Sequence, residues 1–121
     1  MGDLTTNFSR YEFACYCGCG FDTVDFMLVS EMQVMRDHFG KRVEITQKGG
    51  CRCHQGNIVA GGAEFSQHLF ARAADFTMPS VDPRDVQSYL KHKYKGMYGI
   101  GCYSSFTHFD TRTSGPARWN I

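Results

Sequence analysis

No apolar run in the chain approaches the ~18 residues that a membrane-crossing helix needs, so no transmembrane anchor is expected. An excess of charge of one sign is missing too. The 13 Lys and Arg nearly balance the 12 Asp and Glu, for a formal net charge of +1. That balance gives no general attraction to nucleic acid or an acidic membrane, and neither is expected as a partner. The opening M-G-D-L-T-T-N-F has neither a basic n-region nor an apolar h-region, so no signal peptide is expected. Action outside the cytoplasm then calls for some other route of delivery. Internal repeats, linkers and low-complexity segments are also missing. The 121 residues are therefore read as one domain, 1–121, expected to be a monomer. A chain of this size buries roughly two-thirds of its unfolded surface, enough for a core without cross-links.

The C-x2-C spacing that wraps a metal in zinc ribbons and fingers is absent as well. The six cysteines fall instead as Cys15, Cys17 and Cys19, then Cys51 and Cys53, with Cys102 alone. Three readings stay open for them: a structural metal, disulfides joining the two clusters, or reduced thiols partly buried as small apolar groups.

Ser9-Arg10-Tyr11-Glu12 has the form of a capping box and predicts a short helical turn, followed by a Cys/Gly loop over 15–20. From about Thr23 to Phe39, Leu28, Met32, Met35 and Phe39 recur at helical spacing until Gly40 stops the pattern. Arg42 to Gln47 alternates and predicts a strand carrying Val43 and Ile45, ended by Gly49 and Gly50. Cys51 to Gly62 is expected as loop or short helix, and Ala71 to Thr77 as a second strand. Asp82-Pro83 sets an N-cap carboxylate before Pro at N1. The helix it opens has Val86, Leu90 and Tyr94 on its apolar side and is closed by Gly96. Met97–Tyr103 and Phe106–Thr111 are expected as two adjacent strands. The class is α+β: a small, mainly antiparallel sheet packed against two main helices.

Chemistry concentrates in two segments. S-Q-H-L-F-A-R-A-A-D, over 66–75, places His68 and Asp75 seven residues apart, and F-T-H-F-D places His108 and Asp110 two apart. Two imidazoles and one carboxylate would make a three-ligand zinc site with an open fourth position, the pattern of a catalytic ion rather than a structural one. The competing reading of any histidine is a solvated or hydrogen-bonded side chain, and it is preferred for His38, His54 and His92. His108 and Asp110, at i and i+2 on a strand, share a face.

The pattern S-x-H-x-x-G-x-A-x-D with a later H-x-D resembles the zinc D-alanyl-D-alanine carboxypeptidase family. That family includes phage L-alanyl-D-glutamate endolysins, vancomycin-resistance dipeptidases and, more distantly, the hedgehog signalling domain. Ser66, His68, Ala73 and Asp75 match the first motif, and His108 and Asp110 the second. The likeness extends to N-F-S-R-Y-E-F-A-C at 7–15, R-C-H-Q-G-N at 52–57, G-I-G-C-Y at 99–103 and Arg118-Trp119. It implies a hedgehog/DD-peptidase-like fold and one Zn2+ held by His68, Asp75 and His108. It further implies a substrate-holding Arg52, whose planar fork suits a carboxylate, and a Ser66 that hydrogen-bonds beside the site.

The implied function is zinc-dependent hydrolysis of peptidoglycan stem peptides, as a D-Ala-D-Ala carboxypeptidase or an L-Ala-D-Glu endopeptidase. With no signal peptide expected, access to the wall would come by phage- or prophage-like release. Three positions depart from the family pattern. Ala71 stands where the motif has glycine, Gln47 to Cys51 replaces the usual lead-in to the arginine, and Ser105 occupies the place of a glutamate base. Asp110 is then the remaining carboxylate of the second motif. It is expected either as the base or, preferably, as the acceptor that orients a ligand histidine. Two other functions compete: a non-catalytic zinc-containing binding module of the same fold, and a small metal protein built on the clustered cysteines.

Overall fold

The computed structural model describes residues 2–120. Helix α1, Phe26–Phe39, begins where the Asp25 carboxylate accepts from the Leu28 N–H and ends at Gly40, whose φ of 63° is left-handed. Its Leu28, Val29, Met32 and Met35 are buried, so the methionine-rich stripe is core. Helix α2, His54–Val59, is the short helix allowed for in the 51–62 segment. Helix α3, Pro83–Lys93, opens on the Asp82 cap and buries Val86 and Leu90. Tyr94 caps its C-terminus, and Gly96 lies in the turn beyond with a φ of 76°.

Among the described residues, five strands form one sheet: β1 Glu44–Ile45, β2 Ala73–Thr77, β3 Gly99–Cys102, β4 Thr107–Asp110 and β5 Ala117–Asn120. Their order is β1-β2-β4-β3-β5, antiparallel throughout except for the parallel pair β3–β5. The expected α+β class and mainly antiparallel sheet are therefore observed. Phe76 and Ala74 of β2, Phe109 of β4 and Ile100 of β3 meet α1 and α3 in the core with Phe8 and Phe13.

Several boundaries differ from expectation. The strand over 42–47 shrinks to two residues, because the chain turns at Thr46 to Gly49, closed by a Gly49 N–H to Thr46 carbonyl bond. The second strand starts at Ala73 rather than Ala71, since Ala71 has a φ of 59°. That position demands the left-handed conformation the family glycine supplies freely. Alanine adopts it at a cost of about 1–2 kcal/mol. Strand β5 was not expected: it is short, and its alternating half-exposed pattern carries little apolar signal.

The glycines of β3 have a packing role. A Cβ on Gly99 would lie 2.2 Å from Asp110 Oδ2, and one on Gly101 would lie 2.5 Å from the Trp119 ring. Backbone without side chains lets a carboxylate and an indole lie against the strand. Gly99→Ala is therefore expected to cost about 1–3 kcal/mol by overpacking, lowering the melting temperature by several degrees. An unchanged melting temperature would show that Asp110 can move aside freely.

Candidate metal centre

Register in the β2–β4 pair sets Asp75 directly opposite His108. Directly opposed residues of antiparallel strands project to the same face, with Cβ atoms about 5 Å apart. His68 arrives from the other side, on the 3-10 turn Gln67–Phe70, which the Ser66 hydroxyl caps by accepting from the His68 N–H at 3.2 Å. The three side chains converge. His108 Nδ1 lies 2.9 Å and His68 Nε2 3.3 Å from Asp75 Oδ1. A tetrahedral ion with bonds of about 2.0–2.1 Å holds its ligand atoms about 3.4 Å apart, close to these separations.

The outer nitrogens determine which lone pairs are free. His68 Nδ1 is 2.7 Å from the Gly50 carbonyl oxygen. A carbonyl can only accept, so a proton sits on Nδ1 and Nε2 is the nitrogen that faces Asp75. His108 Nε2 lies 2.6 Å from Asp110 Oδ2. Burial pushes the Asp110 carboxyl up, but hydrogen bonds from Arg112 and His108 hold it well below the usual carboxylate range. An ionised carboxylate also only accepts, so His108 carries a proton on Nε2 and turns Nδ1 to Asp75. Both histidines thus turn their remaining ring nitrogen to the same point, where a metal ion can take the lone pair in place of a proton. This donor set fits a zinc ion.

Charge follows the same logic. Burial raises the Asp75 carboxyl, yet hydrogen bonds from His108 and His68 outweigh it and hold the group well below its ordinary range. For His108, burial alone would lower the imidazole, but hydrogen bonds to Asp110 and Asp75 raise it instead. A cation arriving at Nδ1 competes with that proton, so metal uptake should release protons.

Around the centre lies a cavity of about 480 Å³, lined among others by Arg52, Ser66, Phe65, Tyr103, Phe106 and Trp119. A larger hollow of about 600 Å³, between the N-terminal segment and β1, is lined by no histidine or cysteine. Arg52 is 7% exposed and not a surface residue. Its Nε donates to the Lys48 carbonyl, Nη1 to Asn57 Oδ1 and Nη2 to Asp75 Oδ2 at 3.3 Å. Asp110 is fully buried on the far side of the His108 ring.

The sequence of the peptidase M15 family matches residues 6–110, a span containing His68, Asp75, His108, Arg52 and Asp110. The chain belongs to the peptidase M15 family. No curated protein and no solved structure matched it in the corresponding comparisons. M15 members are zinc-dependent, so the chain is a peptidase with a peptide substrate and a candidate metal centre at His68, Asp75 and His108.

Around the centre of this M15 peptidase the structure also sets residues to which the sequence analysis gave no role. Arg112 grips Asp110 with two parallel bonds, Nε to Oδ1 at 2.8 Å and Nη2 to Oδ2 at 2.7 Å. A buried carboxylate two residues away, needing a cationic partner, was the available signal. Asn57 braces Arg52 and donates to the Ala63 carbonyl, and Trp119 lays its ring 4.9 Å from that of His108. The Gly50 carbonyl left no side-chain signal. Ser105 lies in the exposed turn between β3 and β4. His54 and His92 are exposed, and His38 stacks on Tyr89 away from the centre.

Proposed function

We propose that this M15 peptidase is a zinc enzyme that hydrolyses peptidoglycan stem peptides, as a D-Ala-D-Ala carboxypeptidase or an L-Ala-D-Glu endopeptidase of endolysin type. The observation that carries the reading is the convergence of two imidazole nitrogens and the Asp75 carboxylate beside a cavity that also holds cationic groups. His68, Asp75 and His108 would hold one zinc ion. When bound, zinc supplies Lewis-acid polarisation of a carbonyl and lowers the pKa of water to about 7.

The chain's own residues do the rest. Gly50 and Asp110 keep the two imidazoles in the ligating tautomer and orientation. The complete occupation of Asp110 by His108 and Arg112, and its burial, support this orienting role over that of a base. Arg52 spends three of its five N–H groups on Lys48, Asn57 and Asp75. One N–H on each terminal nitrogen is left for the cavity it lines, where a stem-peptide carboxylate or carbonyl can accept. Arg112, which lines the same cavity, adds a second positive charge. Ser66 fixes the turn that carries His68 and borders the substrate space. The stacked Tyr103 and Phe106 rings, with Trp119, form an apolar wall that limits water. Wall access by phage- or prophage-like release from the cytoplasm completes the proposal.

Digestion of purified peptidoglycan, with the fragments identified by mass spectrometry, tests it. New amino termini within the stem peptide, or released D-alanine, are expected. Intact peptidoglycan with zinc bound would favour the non-catalytic binding module instead. In the same assay Arg52→Lys should lose about a hundredfold in rate through misplaced substrate, with zinc content unchanged. Lysine keeps the charge but has no planar fork. Parental turnover by Arg52→Lys would remove Arg52 from substrate binding.

A further inference from the structure

Six cysteines are more than the peptidase chemistry uses, and the fold sorts them into two groups. Cys51 and Cys102 are buried, with Cys51 Sγ against the Phe21 carbonyl and Cys102 in the main core. The other four come together. Sγ of Cys15, Cys17 and Cys53 form a triangle with sides of 3.5, 3.5 and 3.8 Å. Cys19 joins them, all four sulfurs lying within 4.8 Å of one another.

We propose that Cys15, Cys17, Cys19 and Cys53 form a second metal centre, a closed tetrathiolate site for a structural zinc ion. A zinc–sulfur bond of about 2.3 Å in a tetrahedron sets the sulfurs about 3.8 Å apart, close to the 3.5 to 3.8 Å sides of the triangle. A disulfide needs an S–S distance of about 2.05 Å, and none of the pairs approaches it. With four protein sulfurs no coordination position is left for substrate, so the ion is structural.

The backbone is arranged around the sulfurs as it is around thiolate ligands, which take hydrogen bonds from nearby donors. The Cys53 N–H donates to Cys15 Sγ at 3.4 Å, and the Gly56 N–H to Cys53 Sγ at 3.3 Å. Gly56 is close enough that a Cβ there would lie 3.2 Å from Cys15 Sγ. The unusual C-x-C-x-C spacing works because the chain folds back on itself. The Gly18 N–H bonds to the Cys15 carbonyl, and Gly18 and Gly20 take φ of 78° and 93°. These left-handed residues turn the sulfurs inward where a longer C-x2-C loop would otherwise be needed.

The site has a consequence for the peptidase centre. Cys53 directly follows Arg52, and the Arg52 N–H bonds to the His68 carbonyl. A metal gripping Cys53 would therefore anchor the segment that aims Arg52 at Asp75. It would also reinforce the tie between that segment and the N-terminal loop, which meet through the Cys51 N–H to Phe13 carbonyl and Tyr16 hydroxyl to Gly56 carbonyl bonds.

The test is metal content by elemental analysis on protein purified in reducing buffer, together with cobalt substitution. The parent should bind two zinc ions per chain, and His68→Ala should keep one. Cobalt-loaded His68→Ala, with every cysteine intact, should show intense sulfur-to-cobalt charge-transfer absorption in the near ultraviolet. Cys17→Ser should lose one ion and that absorption, whereas Cys102→Ala should keep both. A His68→Ala protein that is folded but metal-free, or that binds cobalt without the sulfur band, would overturn the assignment. So would a mass of the air-exposed, zinc-supplied parent lower by two hydrogens for a bond between any two of the four cysteines. This outcome does not depend on the substrate of the peptidase, so it stands or falls apart from the wall-hydrolysis reading.

Discussion

His108→Ala should remove the ion held between His68 and Asp75 and abolish peptidase turnover. Three protein ligands are the usual minimum for a catalytic zinc, and two are left. The ion's contribution to transition-state stabilisation is several kcal/mol, equivalent to a loss of about a thousandfold or more in rate. The same change releases Asp110 from one partner, but Arg112 still pairs with it in two places. The fold should therefore survive with reduced thermal stability, part of it the lost metal linkage. Zinc stoichiometry against the parent, read with the melting temperature, gives the answer. A folded His108→Ala chain with parental zinc content would sink the ligand assignment.

Asp110→Asn is expected to weaken metal binding by about ten- to a hundredfold. The carboxylate accepts from two neighbours at once, His108 on one side and Arg112 on the other. An amide has one accepting end. If its oxygen meets His108, its NH2 faces the Arg112 guanidinium, donor against donor. If it flips, His108 loses the acceptor that keeps its proton on Nε2 and its lone pair on Nδ1. Either arrangement leaves a donor unpaired in a buried place, at a cost of about 1–3 kcal/mol. Competition with a chelator measures the affinity, and turnover at saturating zinc separates the roles. A rate loss of about a hundredfold with parental affinity would make Asp110 a base instead. Normal affinity and normal rate would assign it neither job.

The two results read different layers of one construction. His108 reports the donor atoms, and Asp110 reports what holds a donor atom in the right tautomer. Gly99 adds a third layer, the empty space on β3 that lets the Asp110 carboxylate sit behind the ring. Such nesting explains why the motif residues alone make only part of the centre.

Local signals were legible where local physics decides. The Asp82-Pro83 start of α3 and the Gly40 stop of α1 are capping events within a single turn, and they fall where expected. The buried stripe of α1 follows from its period. Expectation failed where neighbours override propensity. Two-residue β1 owes its length to the turn at Thr46–Gly49, and Ala71 is held left-handed despite its Cβ. Strand β5 forms because β3 offers a parallel edge, not because its own residues favour a strand.

The identity of the donors was written in the chain itself. His68, Asp75 and His108 are candidate ligands of the right type, and one turn and two strands present them. Their geometry was not. The register that sets Asp75 against His108 joins strands far apart in sequence, and no local pattern specifies it. Protonation of the two imidazoles depends on the Gly50 carbonyl and on an Asp110–Arg112 pair, both supplied by packing. The cysteines make the same point most sharply, since Cys53 reaches Cys15 and Cys17 only when the Arg52 segment crosses the N-terminal loop. Residue type is a property of the chain, whereas a distance between remote residues exists only once the core has closed.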